Sequence, residues 1–210
     1  MTLSETAPTI HQTAPDRGPS APGPAEALAD LLAGNRRFAA GRPRYGHHIG
    51  EAAARSSTQE PYAVVVGCID SRVPLEAVFD QNFGSICVVR SGGHVLDRSV
   101  IGSVEFAVTE LHAPLILVLG HERCGAVAAT VEAVRSGSCP DGYLGYLVEE
   151  ITPAVTTLDP DAVPGAIRRH VERTADRLRV AGRLAAPVAE GRVQVVGAVY
   201  DLDTGVVSLI

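Results

Sequence analysis

Residues 114–120, PLILVLG, offer no side chain to water. A short unbroken apolar run suits a strand buried on both faces, and such strands belong to parallel sheets covered by helices. Two other runs share this character: 62–67, with Val64 to Val66, and 85–90, SICVVR. A fourth, RVQVVGAV at 192–199, is rich in β-branched residues, and 200–210, YDLDTGVVSLI, reads as a turn into a final short strand. Helical spacing fills the intervals. Over 25–40, Leu28, Leu31, Leu32 and Phe38 fall on one face; Pro24 suits the first turn, Gly41 the stop, and Gly34 weakens the pattern. Short helices suit 50–55 and 74–80. Longer ones suit 97–112, Cys124 to about 135, 143–151 and 165–181, the last with alternating charged and apolar positions. The alternation predicts an α/β fold with a mostly parallel central sheet flanked by helices. The segment 1–24 is rich in Pro, Ser, Thr, Ala and Gly and cannot bury enough surface to offset chain entropy. It is expected to be a disordered tail before a single domain spanning 25–210.

Composition narrows the function. The hydrophobic share of 46% supports a sizeable core in 210 residues. Net charge is −6 and no basic cluster marks a nucleic-acid footprint. No apolar stretch reaches the roughly 18 residues of a membrane span. The opening MTLSETAPTIHQTAPDRGPS lacks a basic then apolar secretory pattern, so a cytoplasmic location is expected. All 18 basic residues are arginine, which removes Schiff-base, pyridoxal and P-loop lysine chemistry. Four cysteines in a chain of this length read as core residues or metal ligands rather than a disulfide framework.

The reactive residues cluster at strand ends. The run 63–66 delivers Cys68, Asp70 and Arg72 at alternate positions, and 114–120 delivers His121 and Cys124 within GHERCG. Sites in parallel sheets lie beyond the C-terminal ends of the strands, so topology predicts that the two clusters meet. Two thiolates and an imidazole are a suitable three-ligand set for zinc, leaving a fourth position for water or for Asp70. Inert burial is the competing explanation for any single cysteine, and the better one for Cys87; Cys139 sits in a loop and is uninformative. His112 and His170 read as helix-surface residues.

CIDSR at 68–72 together with GHERCG at 120–125 resembles the β-class carbonic anhydrases. The similarity extends through LLAGNRRFAAG at 31–41, RSGGH at 90–94, GSVEFAV at 102–108 and VYDLDTG at 199–205. The resemblance implies zinc-dependent reversible hydration of carbon dioxide to bicarbonate and a proton, by attack of hydroxide generated on one zinc ion per subunit. The metal ligands would be Cys68, His121 and Cys124, with Asp70 and Arg72 as the catalytic dyad and Gln59, Phe106 and Gly125 at the substrate. It also implies a homodimer or dimer of dimers, with the N-terminal helix packing on a partner subunit; from the residues alone, packing on its own domain is an equal alternative. A relative's activity on carbonyl sulfide or carbon disulfide is the nearest alternative, and a non-catalytic zinc or redox module a more distant one. In some relatives the matching Asp moves onto zinc and loses its Arg.

Several positions depart from the family pattern. Cys87 replaces a pocket Phe, the Arg-containing turn is RSGGH, and the second zinc cysteine is followed by Gly125 and Ala126. A non-catalytic bicarbonate pocket of some relatives uses Trp, Arg and Tyr. Arg90 and Tyr200 match, but Val65 stands at the Trp position, so that pocket is expected to be absent or altered. His47, His48 and His94 are candidates for moving the proton to solvent.

Overall fold

The computed structural model describes residues 22–157 and 162–210. Most of the expected tail, 1–24, therefore lies outside the described residues, while Pro24 opens the first helix. Five strands form one sheet: β1 (Ala63–Cys68), β2 (Ile86–Ser91), β3 (Leu115–His121), β4 (Gln194–Tyr200) and β5 (Val207–Leu209). Their order is β2-β1-β3-β4-β5; all pairings are parallel except β4 with β5. The helices are α1 (Pro24–Ala39), α2 (Ile49–Ala54), α3 (Leu75–Val78), α4 (Arg98–Thr109), α5 (Gly125–Ser136), α6 (Tyr143–Ile151), α7 (Ala162–Arg179) and α8 (Ala185–Ala189).

The twofold period of the strands divides the core. Val64 and Val66 of β1, with Ile116 and Val118 of β3, face Val100 and Val104 of α4 and Val171 and Leu178 of α7. Val65, Leu115, Leu117 and Leu119 face the opposite layer, with Leu75 and Val78 of α3 and Ala27 and Leu31 of α1. The first helix thus packs on its own sheet within the chain. The connections β1–β2 and β2–β3 run over opposite faces, through α3 and α4. They leave a crevice between the C-terminal ends of β1 and β3, where a parallel sheet of this order binds ligands.

Two local departures from the sequence expectation have physical causes. Helix α7 begins three residues before the expected 165, because Pro164 falls in its first turn, where its missing N–H costs nothing. Helix α8 was not anticipated; its five residues, AAPVA, are too few to show a period.

Gly34 has a packing role. A Cβ there would overlap the backbone carbonyl oxygen of Phe79, just past α3. Asn35 beside it donates to the Val78 and Gly205 carbonyls at 3.0 and 2.8 Å and accepts from Val207 N–H at 2.9 Å, tying α1 to α3 and β5. Gly34→Ala is therefore expected to destabilise the fold by about 3 kcal/mol, the cost of overpacking against backbone. Gly102 lies exposed inside α4 with open space at its Cβ position. Gly102→Ala should raise stability by about 0.5–1 kcal/mol. Urea unfolding of both variants checks the contrast, and equal shifts would contradict the close approach of α1 to α3.

Candidate metal centre and active site

The registers of β1 and β3 bring the clusters together. Gly67 is the last β1 residue paired with β3, opposite Leu119, so Cys68 emerges beside Gly120 and His121. Cys124 then sits at the N-cap of α5. One donor atom from each of Cys68, His121 and Cys124 lies within 4.8 Å of the others, and all three residues are buried. His121 Nδ1 is 2.8 Å from the Glu122 carbonyl oxygen and must donate its proton there. That leaves His121 Nε2 as a bare lone pair, buried and without a hydrogen-bond partner among the described residues. An imidazole oriented in this way by a backbone carbonyl is the usual form of a metal ligand.

The two thiols lean in opposite directions. Cys68 is pushed down to about 4, first by the hydrogen bond from the Cys124 thiol, with His121 and the Gly93 N–H adding to it against burial. Cys124 is driven up by its bond to Cys68, by burial and by the neighbouring negative charge. The pair shares one proton, because two adjacent buried thiolates repel. A divalent cation removes that conflict, so the donor set fits a soft-ligand metal such as zinc. Burial opposes a charge on His121, but the nearby Cys68 sulfur, the Glu122 carbonyl and the Asp70 carboxylate outweigh it and raise its pKa.

Asp70 and Arg72 form a two-point pair at the mouth of the cluster. Arg72 Nε donates to Asp70 Oδ1 at 2.9 Å and Nη2 to Oδ2 at 2.7 Å. The Arg72 backbone N–H adds a third bond to Oδ1 at 3.0 Å. These bonds hold the Asp70 carboxyl well below the usual carboxylate range, against the effect of burial. Asp70 Oδ2 stays 3.8 Å from His121 Nε2, so the carboxylate faces the cluster while held by the guanidinium. Arg72 Nη2 also donates to the Arg123 carbonyl at 3.2 Å, bridging the two strand ends. Arg123 in turn makes a two-point pair with Asp203. Arg90 braces the same turn from below: its Nε donates to the Cys68 carbonyl at 2.8 Å and its Nη2 to the Asp70 carbonyl at 2.7 Å. No local sequence pattern signals that brace. Gly125 opens α5 beside Cys124, exposed, with open space at its Cβ position.

Other expected residues stand elsewhere. Gln59 precedes β1, at the opposite end from Cys68 of a strand that spans roughly 16 Å at the usual rise per residue. Phe106 lies near the C-terminal end of α4, just before the chain turns into β3, and so also at the far edge. Within one chain neither is brought to the metal cluster. His170 corrects the surface reading: it is 3% exposed. His112 is exposed, as expected. His94 is buried, and burial, with His170 and His121 nearby, lowers its pKa well below the ordinary value, so it has no direct exchange with solvent. His47 and His48 are exposed. Val65 is fully buried in the sheet and Arg90 is committed to backbone carbonyls. Cys87 is half-buried on β2 and Cys139 is exposed.

The sequence profile of the family described as Carbonic anhydrase matches residues 63–207. The chain belongs to the β-carbonic anhydrase family. It is 42% identical over 187 residues to carbonic anhydrase 2 of Mycobacterium tuberculosis, covering 87% of this chain and 90% of that protein. It is 41% identical over 191 residues to the carbonic anhydrase of Mycolicibacterium smegmatis, covering 89% and 93%. The β-carbonic anhydrase of Coccomyxa, solved with acetazolamide, superposes with a TM-score of 0.70 at 25% identity over 87% of this chain and 86% of that one. One of two tetrameric β-carbonic anhydrases from Sordaria macrospora shares the fold, with a TM-score of 0.69 at 20% identity over 87% and 96%.

The Asp70–Arg72 pair generates a pH prediction for the metal-free protein. Arg72→Gln should let the Asp70 carboxyl titrate near the ordinary value of about 3.9, whereas in the unaltered protein it stays ionised below that. A depressed carboxyl contributes stability that is present above the unfolded value and lost as pH falls toward the folded one. The melting-temperature gap between the two proteins should therefore hold steady above about pH 5 and narrow progressively below about pH 4. Side-chain carbon NMR follows the titration, and a gap that stays constant would contradict the pairing.

Proposed function

We propose that Cys68, His121 and Cys124 hold one zinc ion per chain and that the protein catalyses the reversible hydration of carbon dioxide to bicarbonate and a proton. The observation that carries this reading is a buried Cys–His–Cys donor set facing a carboxylate that an arginine holds at two points. Zinc bound there would supply the Lewis acidity that brings the pKa of a water from 15.7 to about 7. The remaining steps belong to the chain. Asp70, kept ionised by Arg72, can only accept a hydrogen bond, so Oδ2 orients the attacking water by its proton. Arg72 keeps that carboxylate directed into the site rather than onto the metal. The open space at Gly125 leaves room beside Cys124 for a small linear substrate.

Gln59 and Phe106 can serve the substrate only in the site of a second copy, since each lies at the far edge of its own sheet. We accordingly read the functional unit as a homodimer or a dimer of dimers. Strand β2, an unpaired edge with Ile86, Cys87, Val88 and Val89 half-buried, supports this, as does the tetrameric assembly named for the Sordaria enzymes. Among the described residues no helix is long and apolar enough to cross a membrane. We place the protein in the cytoplasm, where the thiols of Cys68 and Cys124 stay reduced and available to metal.

Metal analysis and stopped-flow hydration assays test the proposal. The purified protein should carry one zinc per chain, and Cys124→Ser should lose it. Asp70→Asn should retain zinc while hydration slows on the order of 100-fold. Carbonyl sulfide supplies the counter-test: rapid sulfide release with negligible carbon dioxide hydration would overturn the assignment. Full activity in Asp70→Asn would remove the dyad from the mechanism.

A further inference from the structure

His170 has no part in the donor set or the dyad, yet it is among the most deeply buried polar residues of the described chain. It lies on α7, and its Nε2 is 2.8 Å from the carbonyl oxygen of Gly93. An amide carbonyl can only accept, so Nε2 carries the proton and donates. Gly93 in turn donates its own N–H to Cys68 Sγ at 3.3 Å. These two bonds fix the peptide planes on either side of one Cα, that of Gly93, whose φ is +59° and ψ +28°.

The turn 92–94 has little freedom on its other side. A Cβ on Gly93 would stand 2.9 Å from Ile151 Cδ1 of α6 and 3.1 Å from Ala126 Cβ of α5, and one on Gly92 would stand 2.6 Å from Leu147 Cδ1. His94 follows with φ +48° and lays its ring on that of His170, centroids 4.4 Å apart and tilted by 32°. Two helices therefore bound the turn from one side, and on the α7 side a single polar tether among the described residues, His170 to the Gly93 carbonyl, holds it. Burial brings His170 down to about 4 and keeps the ring neutral, so it places no charge beside the cluster.

We infer that His170 is a positioning residue of the metal centre, holding the Gly93 carbonyl and so fixing the Cα about which the Gly93 N–H is aimed at the sulfur of Cys68. The inference rests on the reading of Cys68 as a metal ligand. An N–H bond to a thiolate withdraws electron density from sulfur. Two thiolates donate more charge to a metal than imidazoles do, and this bond moderates one of them, preserving the Lewis acidity the reaction uses. A hydrophobic side chain at 170 would fill the same space but would leave the Gly93 carbonyl without its donor and the turn free to rotate.

The test uses the full chain loaded with an NMR-active cadmium isotope. The Gly93 amide proton should show scalar coupling to the metal through Cys68 Sγ, and a hydrogen-bond coupling should link the His170 ring N–H to the Gly93 carbonyl. His170→Phe keeps an aromatic ring without the donor, and His170→Gln offers an N–H in the place of Nε2. The metal coupling should vanish in the first and persist in the second. The thiolate charge-transfer band of the cobalt-loaded protein should move to longer wavelength only in His170→Phe. Hydration by the zinc protein should fall about tenfold in that variant and recover in His170→Gln. Either coupling missing from the cadmium-loaded unaltered protein overturns the inference, even if both variants fail to fold. So does a metal coupling of undiminished size in His170→Phe. Failure of the unaltered protein to bind cadmium or cobalt through Cys68 overturns the ligand assignment instead.

Discussion

The parallel pairing of β1 with β3 is the constraint on which the rest depends. Three of the proposed reactive groups lie at the ends of these two strands, and their meeting is a matter of register: Gly67 against Leu119 places Cys68 level with the start of GHERCG. A slip by one residue would turn Cys68 to the opposite face and carry the β1 valines into the wrong layers. The apolar alternation that fills both cores therefore also sets the position of the proposed metal donors. Here stability and chemistry are specified by the same side chains.

The cluster itself is unfavourable without a cation. Two buried thiols share a proton, a histidine presents an unsatisfied lone pair, and a carboxylate stands close by. The surroundings hold these groups in place by directed bonds to backbone: Arg90 to two carbonyls of the turn, Glu122 to the His121 ring, and Gly93 to the Cys68 sulfur. Such bonds fix geometry in advance, so binding of a metal need not reorganise the site.

Much of this was legible in the sequence. The apolar runs gave the strands to within about two residues, and strand-end topology brought Cys68, His121 and Cys124 to one edge. Asp70 and Arg72 were legible because their spacing is local. What escaped the reading depends on three dimensions or on competing signals. Arg90 braces a turn twenty residues away in sequence, which no local pattern encodes. His170 was obscured by its charged neighbours Arg168, Arg169, Glu172 and Arg173, although Ala166, Ile167, His170, Val171, Thr174 and Leu178 trace the buried face of α7 at helical spacing. Gly34 looked like a weakness in a helix because the carbonyl it accommodates comes from Phe79, far along the chain. Gln59 and Phe106 came from family resemblance alone, and one chain does not place them at the cluster.

The links around Arg72 extend further than the dyad. Its guanidinium joins Asp70 to the Arg123 carbonyl, and the Arg123 side chain reaches Asp203, in the turn that leads into β5. That turn is closed by its own bonds from Asp203 N–H and Thr204 N–H to Asp201 Oδ1. A continuous polar chain thus connects the C-terminal hairpin to the Asp70 carboxylate. The last ten residues hold none of the proposed reactive groups, yet through Asp203 they are linked to the turn that carries Asp70.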